Sequence, residues 1–354
     1  MNLLMITRKV DKDDGLAGFV FNWVKKIGEN TKNLYVICLE KGNVEGLPEN
    51  VKILPIRNNN VSNNVILRKI TDFLNFQKLA FKIIKKVDGV FCHMNPEYTI
   101  SVWPLVKMFN KKIVSWYAHG TVSLRLKLLE KMANKIVTPS QKSFRLKSKK
   151  VIITGHGIDI NKFKKTTPLP TNKFKIISVG RISPTKDLET LIKAINVIVN
   201  DYHQKDIVVE IIGSPGLKSH ETYLESLKKM VEKMNLGNYI KFLGSIANKK
   251  IPQKLNEAQI FINLSNTGSV DKAVLEAMAT EVVPITSNIA FKEILEEKYL
   301  TKANNYKMLS QKIIHIKNEE SSEQENLKKK LREIIVENHN LDKLIKKILN
   351  QFKP

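Results

Sequence analysis

Arg181 and Lys186 stand in the run Phe174-Lys175-Ile176-Ile177-Ser178-Val179-Gly180-Arg181-Ile182-Ser183-Pro184-Thr185-Lys186-Asp187. The order is an apolar strand, a glycine turn and a helix start. Two cations there, beside unpaired helix amides and the positive end of a helix dipole, suit a phosphate. The other reading is a surface turn with two ordinary cations. Glu276 lies in a second strand–loop–helix segment. Its strand is Ile260-Phe261-Ile262-Asn263-Leu264-Ser265, and its loop and helix start run Asn266-Thr267-Gly268-Ser269-Val270-Asp271-Lys272-Ala273. A carboxylate early in that otherwise apolar helix accepts hydrogen bonds from sugar hydroxyls, a ribose diol above all, or caps backbone amides. His119 ends the run Ile113-Val114-Ser115-Trp116-Tyr117-Ala118-His119-Gly120, and His93 repeats the arrangement, with Asn95 just after it. A lone histidine is more often structural; the strand-end position points towards function. Asp11-Lys12-Asp13-Asp14-Gly15-Leu16-Ala17-Gly18 reads as a loop after the first strand, either solvated or an Asp-x-Asp metal site. No Cys/His set has metal-ligand spacing. A G-x-G-x-x-G loop is absent, which argues against a dinucleotide in its usual site.

The elements that must position these residues alternate along the chain. Strands are predicted at 3–7, 34–39, 89–93, 112–117, 135–138, 151–154, 174–179, 208–212, 240–243, 260–264 and 283–286, with amphipathic helices at 18–29, 67–86, 187–200, 220–234 and 272–279. This is the pattern of βαβ units and parallel sheets. The polar stretch 164–173, with Pro168 and Pro170, separates two series of similar size and reads as a linker. The expected domains are therefore 1–165 and 171–330, followed by a helical tail, 331–354, with apolar Ile334, Ile335, Leu341, Leu344, Ile345, Ile348 and Leu349. Two Rossmann-like domains of this kind face each other across a cleft, and ligands bind outside the carboxyl ends of their strands.

At 354 residues the chain is long enough for two domains, and with 42% hydrophobic and 26% charged residues it is neither disordered nor collagen-like. No apolar run approaches transmembrane length. Cys38 and Cys92 both fall in apolar strands, which excludes a disulfide framework and fits a reducing compartment. The formal charge of +25 is uneven: residues 1–165 hold 30 Lys+Arg against 12 Asp+Glu, a formal +18, and the rest carry +7. The excess points to an acidic partner for the first half, or is plain solvated lysine. Residues 67–86 carry six cations and one acid beside a broad apolar face, as an interfacial helix does, and as a core helix with a lysine-rich outer face does. No nucleic-acid motif is present, and nucleic acid is not an expected partner.

Taken together these residues resemble the group 1 glycosyltransferases, family 4, of the GT-B fold. The resemblance covers essentially the whole chain through six short motifs in the family's order. They are the glycines Gly15 and Gly18, then His119-Gly120, then Thr138-Pro139-Ser140. The interdomain signature His156-Gly157-Ile158-Asp159-Ile160-Asn161-Lys162-Phe163 follows, then Gly180-Arg181 with Lys186-Asp187, and last Leu275-Glu276-Ala277-Met278-Ala279. The resemblance implies a GT-B α/β fold whose C-terminal helix crosses back to the N-terminal domain. It implies that Arg181 and Lys186 bind a donor diphosphate, that Glu276 binds the ribose, and that amides from Ser269, Val270, Asp271, Lys272 and Ala273 cradle phosphate and sugar. Gly15, Gly18 and Gly180 belong to the same donor site. His119 faces the reacting sugar, and His93 and Asn95 are acceptor-side candidates. The implied reaction is retaining hexosyl transfer from a nucleoside-diphosphate sugar to a glycan or lipid-linked acceptor in cell-envelope polysaccharide or glycolipid synthesis. No metal or other cofactor is expected, and the place is cytoplasmic, with peripheral attachment to an anionic membrane. The chain departs from the family pattern at Gly268, where a glutamate that contacts donor sugar hydroxyls is usual, and at Asp271, where glycine is usual. That departure keeps open a non-catalytic nucleotide-sugar or glycan-binding relative, and a sugar-nucleotide epimerase of the same fold is the remaining enzyme alternative.

Overall fold

The computed structural model of the protein describes residues 1–15, 17–57, 64–167, 172–319 and 321–353. It divides into two compact units, Met1–Gly157 with His339–Pro354, and Ile158–Asn338.

The first unit runs β1 (Asn2–Val10), α1 (Gly18–Glu29), β2 (Asn33–Lys41), β3 (Val51–Pro55), α2 (Val65–Ile84), β4 (Gly89–His93), α3 (Pro96–Met108), β5 (Lys112–Trp116), α4 (Leu124–Met132), β6 (Lys135–Thr138) and β7 (Val151–Ile153). Its sheet is parallel, in the order β3-β2-β1-β4-β5-β6-β7. Central strands covered on both faces need apolar residues at every position, and all five residues of β4 are buried. One face packs Val20, Trp23, Val24 and Ile27 of α1. The other packs Phe76, Ala80 and Ile84 of α2 with Val102 and Val106 of α3 and Leu126 and Leu129 of α4. Cys38 pairs with Thr7 and Cys92 with Ile6, so β1 lies between the two thiols. Burial pushes each thiol up to about 12, and both are free.

The second unit runs β8 (Phe174–Val179), α5 (Leu188–Asn196), β9 (Ile207–Ile212), α6 (Ser219–Lys233), β10 (Ile240–Gly244), α7 (Ile251–Asn256), β11 (Ile260–Asn263), α8 (Lys272–Ala279), β12 (Val283–Thr286), α9 (Tyr306–Asn318) and α10 (Ser321–Asn338). Its parallel sheet has the order β10-β9-β8-β11-β12. The chain then returns to the first unit as α11 (Leu341–Asn350).

The domain limits differ from those expected. Ile158 and Phe163 are buried in the core of the second unit, so the chain has left the first unit before the polar stretch begins. Pro168 and Pro170 lie outside the described residues. The tail is also two helices rather than one. Leu331 and Ile335 pack into the second core, and Arg332 donates to the carbonyls of Ile160, Phe163 and Ala279. Only from His339 onward does the chain belong to the first unit, where Leu341, Leu344, Ile345, Ile348 and Leu349 join the α1 core. Gly157 makes this docking possible. A Cβ there would lie 2.7 Å from Leu341, 2.8 Å from Leu344 and 3.2 Å from Trp23.

His339 sits at the head of that return. Its Nδ1 accepts the His156 N–H at 3.0 Å, so the ring must be neutral at that nitrogen. Burial, with the nearby Lys347, lowers its pKa to about 4. The unfolded histidine takes up its proton near 6.5 and the folded one only near 4, so between these values the unfolded chain binds more protons. Stability is therefore full above about pH 6.5 and falls as the pH drops towards 4, by up to about 3 kcal/mol. Unfolding in urea across this range checks it. A His339→Asn variant should flatten this part of the profile, and an unchanged slope would assign the acid sensitivity elsewhere.

Candidate active site

In each sheet the strand order reverses beside the first strand of the unit. In the second unit β8 has β9 on one side and β11 on the other. The helices that follow β8 and β11 leave on opposite sides of such a sheet, which opens a crevice at the carboxyl edge of these two strands. The residues singled out by type meet there. A small cavity of about 10 Å³ is lined by Gly180, Arg181 and Lys186 from the loop after β8 and by Asn263 and Leu264 from the end of β11. Lys186 crosses Gly180, its Nζ 3.8 Å from where a Cβ would stand. Arg181 is exposed beside it. Asp187, the residue after Lys186, takes the left-handed conformation (φ 47°) and accepts the Asn304 N–H at 3.1 Å. A non-glycine residue held in that region is a cost that the surrounding structure sustains, and it fixes the direction in which Lys186 leaves the backbone.

The loop between β11 and α8 supplies the counter-charge. Asp271 is the N-cap of α8, accepting the Ala273 N–H, and pairs with the Lys186 ammonium. It also accepts from the Asn263 side-chain amide at 3.0 Å. Burial would raise the Asp271 carboxyl, but Lys186 and Asn263 outweigh it and hold the group below the usual range. Asn288 donates to the Ser269 carbonyl at 2.7 Å and so fixes the near end of this loop. Gly268 has φ +66°, the left-handed region.

One turn into α8, Glu276 is buried and faces Lys272 at 3.3 Å. Burial raises the Glu276 carboxyl and lowers the Lys272 ammonium, each opposed by the other. Lys162 also acts on Glu276; burial lowers its pKa to about 8, and its ammonium donates to the Asn248 side chain. Lys162 was not singled out in the sequence, although it stands inside the segment 156–163. Nothing in its spacing marks it, because its partners Asn248 and Glu276 are far away along the chain.

In the first unit β1 lies between β2 and β4, and the same rule points to the loops after β1 and β4. Gly15 lies in a turn and Gly18 opens α1. The acids beside them are engaged. Asp11 and Asp14 both bind the Lys9 ammonium, at 3.2 and 2.7 Å, and Asp14 accepts the Ala17 N–H at 2.7 Å. Among the described residues no group of three His, Cys, Asp or Glu can hold a metal ion. His119 and Asn95 come together in a cavity of about 460 Å³, with Glu97, Tyr117, Ser123, Leu124 and Arg125. His93 is placed differently. It is buried, its Nδ1 3.1 Å from the Thr7 hydroxyl, within an aromatic cluster of Trp23, Phe91 and Phe19.

Residues 159–334 match the protein family described as Glycosyl transferases group 1, and the match lies within the second unit. An uncharacterized glycosyltransferase of Methanocaldococcus jannaschii is 27% identical over 237 residues, 58% of this chain. The match spans 57% of that relative's length, little more than half. A crystal structure of the Anabaena protein HepE in complex with UDP-glucose has a TM-score of 0.78 at 16% identity, covering 99% of both chains. Sucrose-phosphate synthase from Thermosynechococcus elongatus has a TM-score of 0.77 at 14% identity, covering 99% of this chain and 98% of its own. The fold is the two-domain GT-B α/β fold, with parallel sheets of seven and five strands.

The Lys186–Asp271 pair has a direct consequence for anions. A diphosphate at this edge competes with Asp271 for the ammonium. Asp271→Asn keeps a cap on α8 and the shape of the loop but removes that competitor. Affinity for inorganic pyrophosphate, read by calorimetry, should rise by about 1 kcal/mol, several-fold. Weaker binding in the variant would show that the carboxylate holds Lys186 in place for the ligand.

Proposed function

We propose that the protein is a retaining glycosyltransferase of family 4, moving a hexose from a nucleoside-diphosphate sugar to a glycan or lipid-linked acceptor in cell-envelope polysaccharide or glycolipid synthesis. The observation that carries this reading is the meeting of Arg181, Lys186 and the amino end of α8 at the carboxyl edge of β8 and β11. Departure of a nucleoside diphosphate leaves negative charge on its β-phosphate. Arg181 and Lys186 stabilise that charge, Lys186 exchanging Asp271 for a phosphate oxygen, and the amides of 269–273 add the positive end of α8. Glu276, whose carboxyl burial raises against the opposing pull of Lys272 and Lys162, accepts the two ribose hydroxyls. The resemblance gives Gly15 and Gly18 to the donor as well, and UDP is the nucleotide that HepE supports. The cavity with His119 and Asn95 is assigned to the acceptor side, and His119 to the reacting sugar.

Lys186→Ala should weaken UDP binding and lower turnover by about 10²–10³. Unchanged kinetics would remove Lys186 from the donor site. His119→Ala should lower turnover with UDP affinity retained. A donor screen read by product mass and anomeric NMR tests the reaction itself; a product of inverted configuration would sink the retaining mechanism.

Metal independence follows from the same site. Two side-chain cations already face the leaving group, and Asp11 and Asp14 are held by Lys9. Transfer should survive EDTA. Loss of transfer on chelation, restored by Mn²⁺, would mean that this loop releases Lys9 to take a metal.

A second reading, nucleotide-sugar binding without transfer, is favoured by Gly268 and by the pairing of Lys186 with Asp271. UDP binding with no transfer and no donor hydrolysis across the screen would select it.

A further inference from the structure

α2 has two faces, and the fold uses one of them. Phe76, Ala80 and Ile84, in the second half of the helix, are buried against the sheet. Residues 65–75 bury no side chain. At 1.5 Å per residue, about 15 Å of helix is left without a core face. Along it runs a second apolar stripe, Ile66, Leu67, Ile70, Phe73 and Leu74, continued by Phe81. The spacings of three and four residues place these side chains on one side of the helix. Ile66 is 72% exposed and Leu74 60%. Leu124, 78% exposed, and Leu128 add to the surface from α4. Both helices lie on the same face of the sheet, with α3 packed between them. Among the described residues, eleven of the fifteen exposed large apolar side chains fall between 65 and 128.

The charge around the stripe has one sign. Asp72 is the only acid of α2, and Arg57 takes it with Nε at 3.0 Å and Nη2 at 2.7 Å. Arg68, Lys69, Lys78, Lys82, Lys85 and Lys86 remain as the cations of the helix and its carboxyl end. The first unit as a whole holds 31 Lys+Arg against 12 Asp+Glu, a formal +19, and the second 28 against 22, a formal +6. A second copy of the chain would bring +25 against +25. Nucleic acid answers the lysines but leaves an aliphatic stripe with nothing to bury it. The interfacial layer of an anionic bilayer takes both, apolar side chains below the headgroups and lysines among them.

We propose that the outer stripe of α2, with Leu124 and Leu128 of α4, is a surface that seats in the interfacial layer of an anionic lipid bilayer and brings a lipid-linked acceptor to the cavity lined by His119. Leu124 of α4 is both exposed and part of the cavity lining. The acceptor part rests on the transferase reading; the surface itself does not.

Co-sedimentation of the full chain with vesicles tests the surface. Binding to phosphatidylglycerol–phosphatidylcholine vesicles should exceed binding to phosphatidylcholine alone by about tenfold or more at low salt, and should fall as salt is added. The variant Ile70→Ser/Phe73→Ser/Leu74→Ser should lose binding by a similar factor. Its unfolding midpoint and UDP affinity should not change, because these side chains are exposed. Lys78→Glu/Lys82→Glu should weaken binding to the anionic vesicles alone. Equal binding to both vesicles, or full binding by the serine variant, would overturn the proposal. So would a wild-type dimer in sedimentation velocity that the serine variant dissolves, which would give the stripe to a second copy. Failure of the wild type to bind UDP would strike the donor reading and leave the vesicle result standing.

Discussion

The second unit is organised around one ion pair. Lys186 comes from the loop after β8 and Asp271 from the loop after β11, and these strands are neighbours at the point where the strand order reverses. Asn263 ties Asp271 to the last residue of β11, and the cap on α8 ties it to the helix. A single carboxylate thus sets the register of two loops, the start of a helix and the position of the cation. Replacing it with solvent would leave Lys186 free to swing outward and the Asn263 amide without its acceptor. The pair is also a stand-in for the ligand, since an oxygen anion already sits where a phosphate oxygen is assigned. On the proposed reading a donor diphosphate exchanges one anion for another at a cation already held in place.

Much of this was legible in the sequence because parallel sheets write plainly. Strands such as Gly89–His93 and Val283–Thr286 are buried on both faces, so they appear as continuous apolar runs with turn residues at their ends. Arg181, Lys186 and Glu276 follow such runs, and carboxyl edges are where α/β sheets hold ligands. Edge elements were harder. Val51–Pro55 pairs only with β2, is half-buried and carries Lys52, so its pattern is faint. Leu124–Met132 buries only Leu126 and Leu129, and its exposed leucines blur the period of the helix. The domain limits were misplaced because polarity and prolines mark surface, not allegiance. Ile158 and Phe163 had already committed the chain to the second core, and a neutral histidine at 339, rather than a proline, marks where it turns back.

Histidines show how far residue type alone can carry a reading. His93 and His119 both end strand-like runs, and the sequence ranks them alike. Their surroundings separate them. His93 follows four buried residues of β4 and has Trp23 above it, 4.8 Å between ring centroids. His119 lies beyond the end of β5, past Ala118, where the chain has left the sheet and opens onto a cavity. The difference comes from α1, whose Trp23 covers the end of β4, and no local pattern around either histidine records it. The two faces of α2 make the complementary point. Its apolar residues are too many for one face of one helix, and that excess was visible before the structure. Which of them the sheet would take could be decided only by where the helix begins relative to the strands.

Gly268 and Asp271 are best understood as one change. The loop turns through φ +66° at 268, a conformation that costs a residue with a Cβ about 1–2 kcal/mol. A glutamate there, as the resemblance would have it, is at odds with the turn this chain makes. The turn in exchange brings Asp271 to the cap of α8, within reach of Lys186 and Asn263. A carboxylate has not simply been lost from the loop. Set against the pattern the chain resembles, a carboxylate stands three residues further along, paired with Lys186. Lys272, next in line, then answers Glu276 from the same helix and restores a positive group near the nucleotide. On the proposed reading the change falls at the sugar end of the donor pocket, and Arg181, Lys186 and Glu276 remain for the two phosphates and the ribose. On the transferase reading this loop bears on sugar choice; on the binding reading, which Gly268 also favours, it bears on transfer itself.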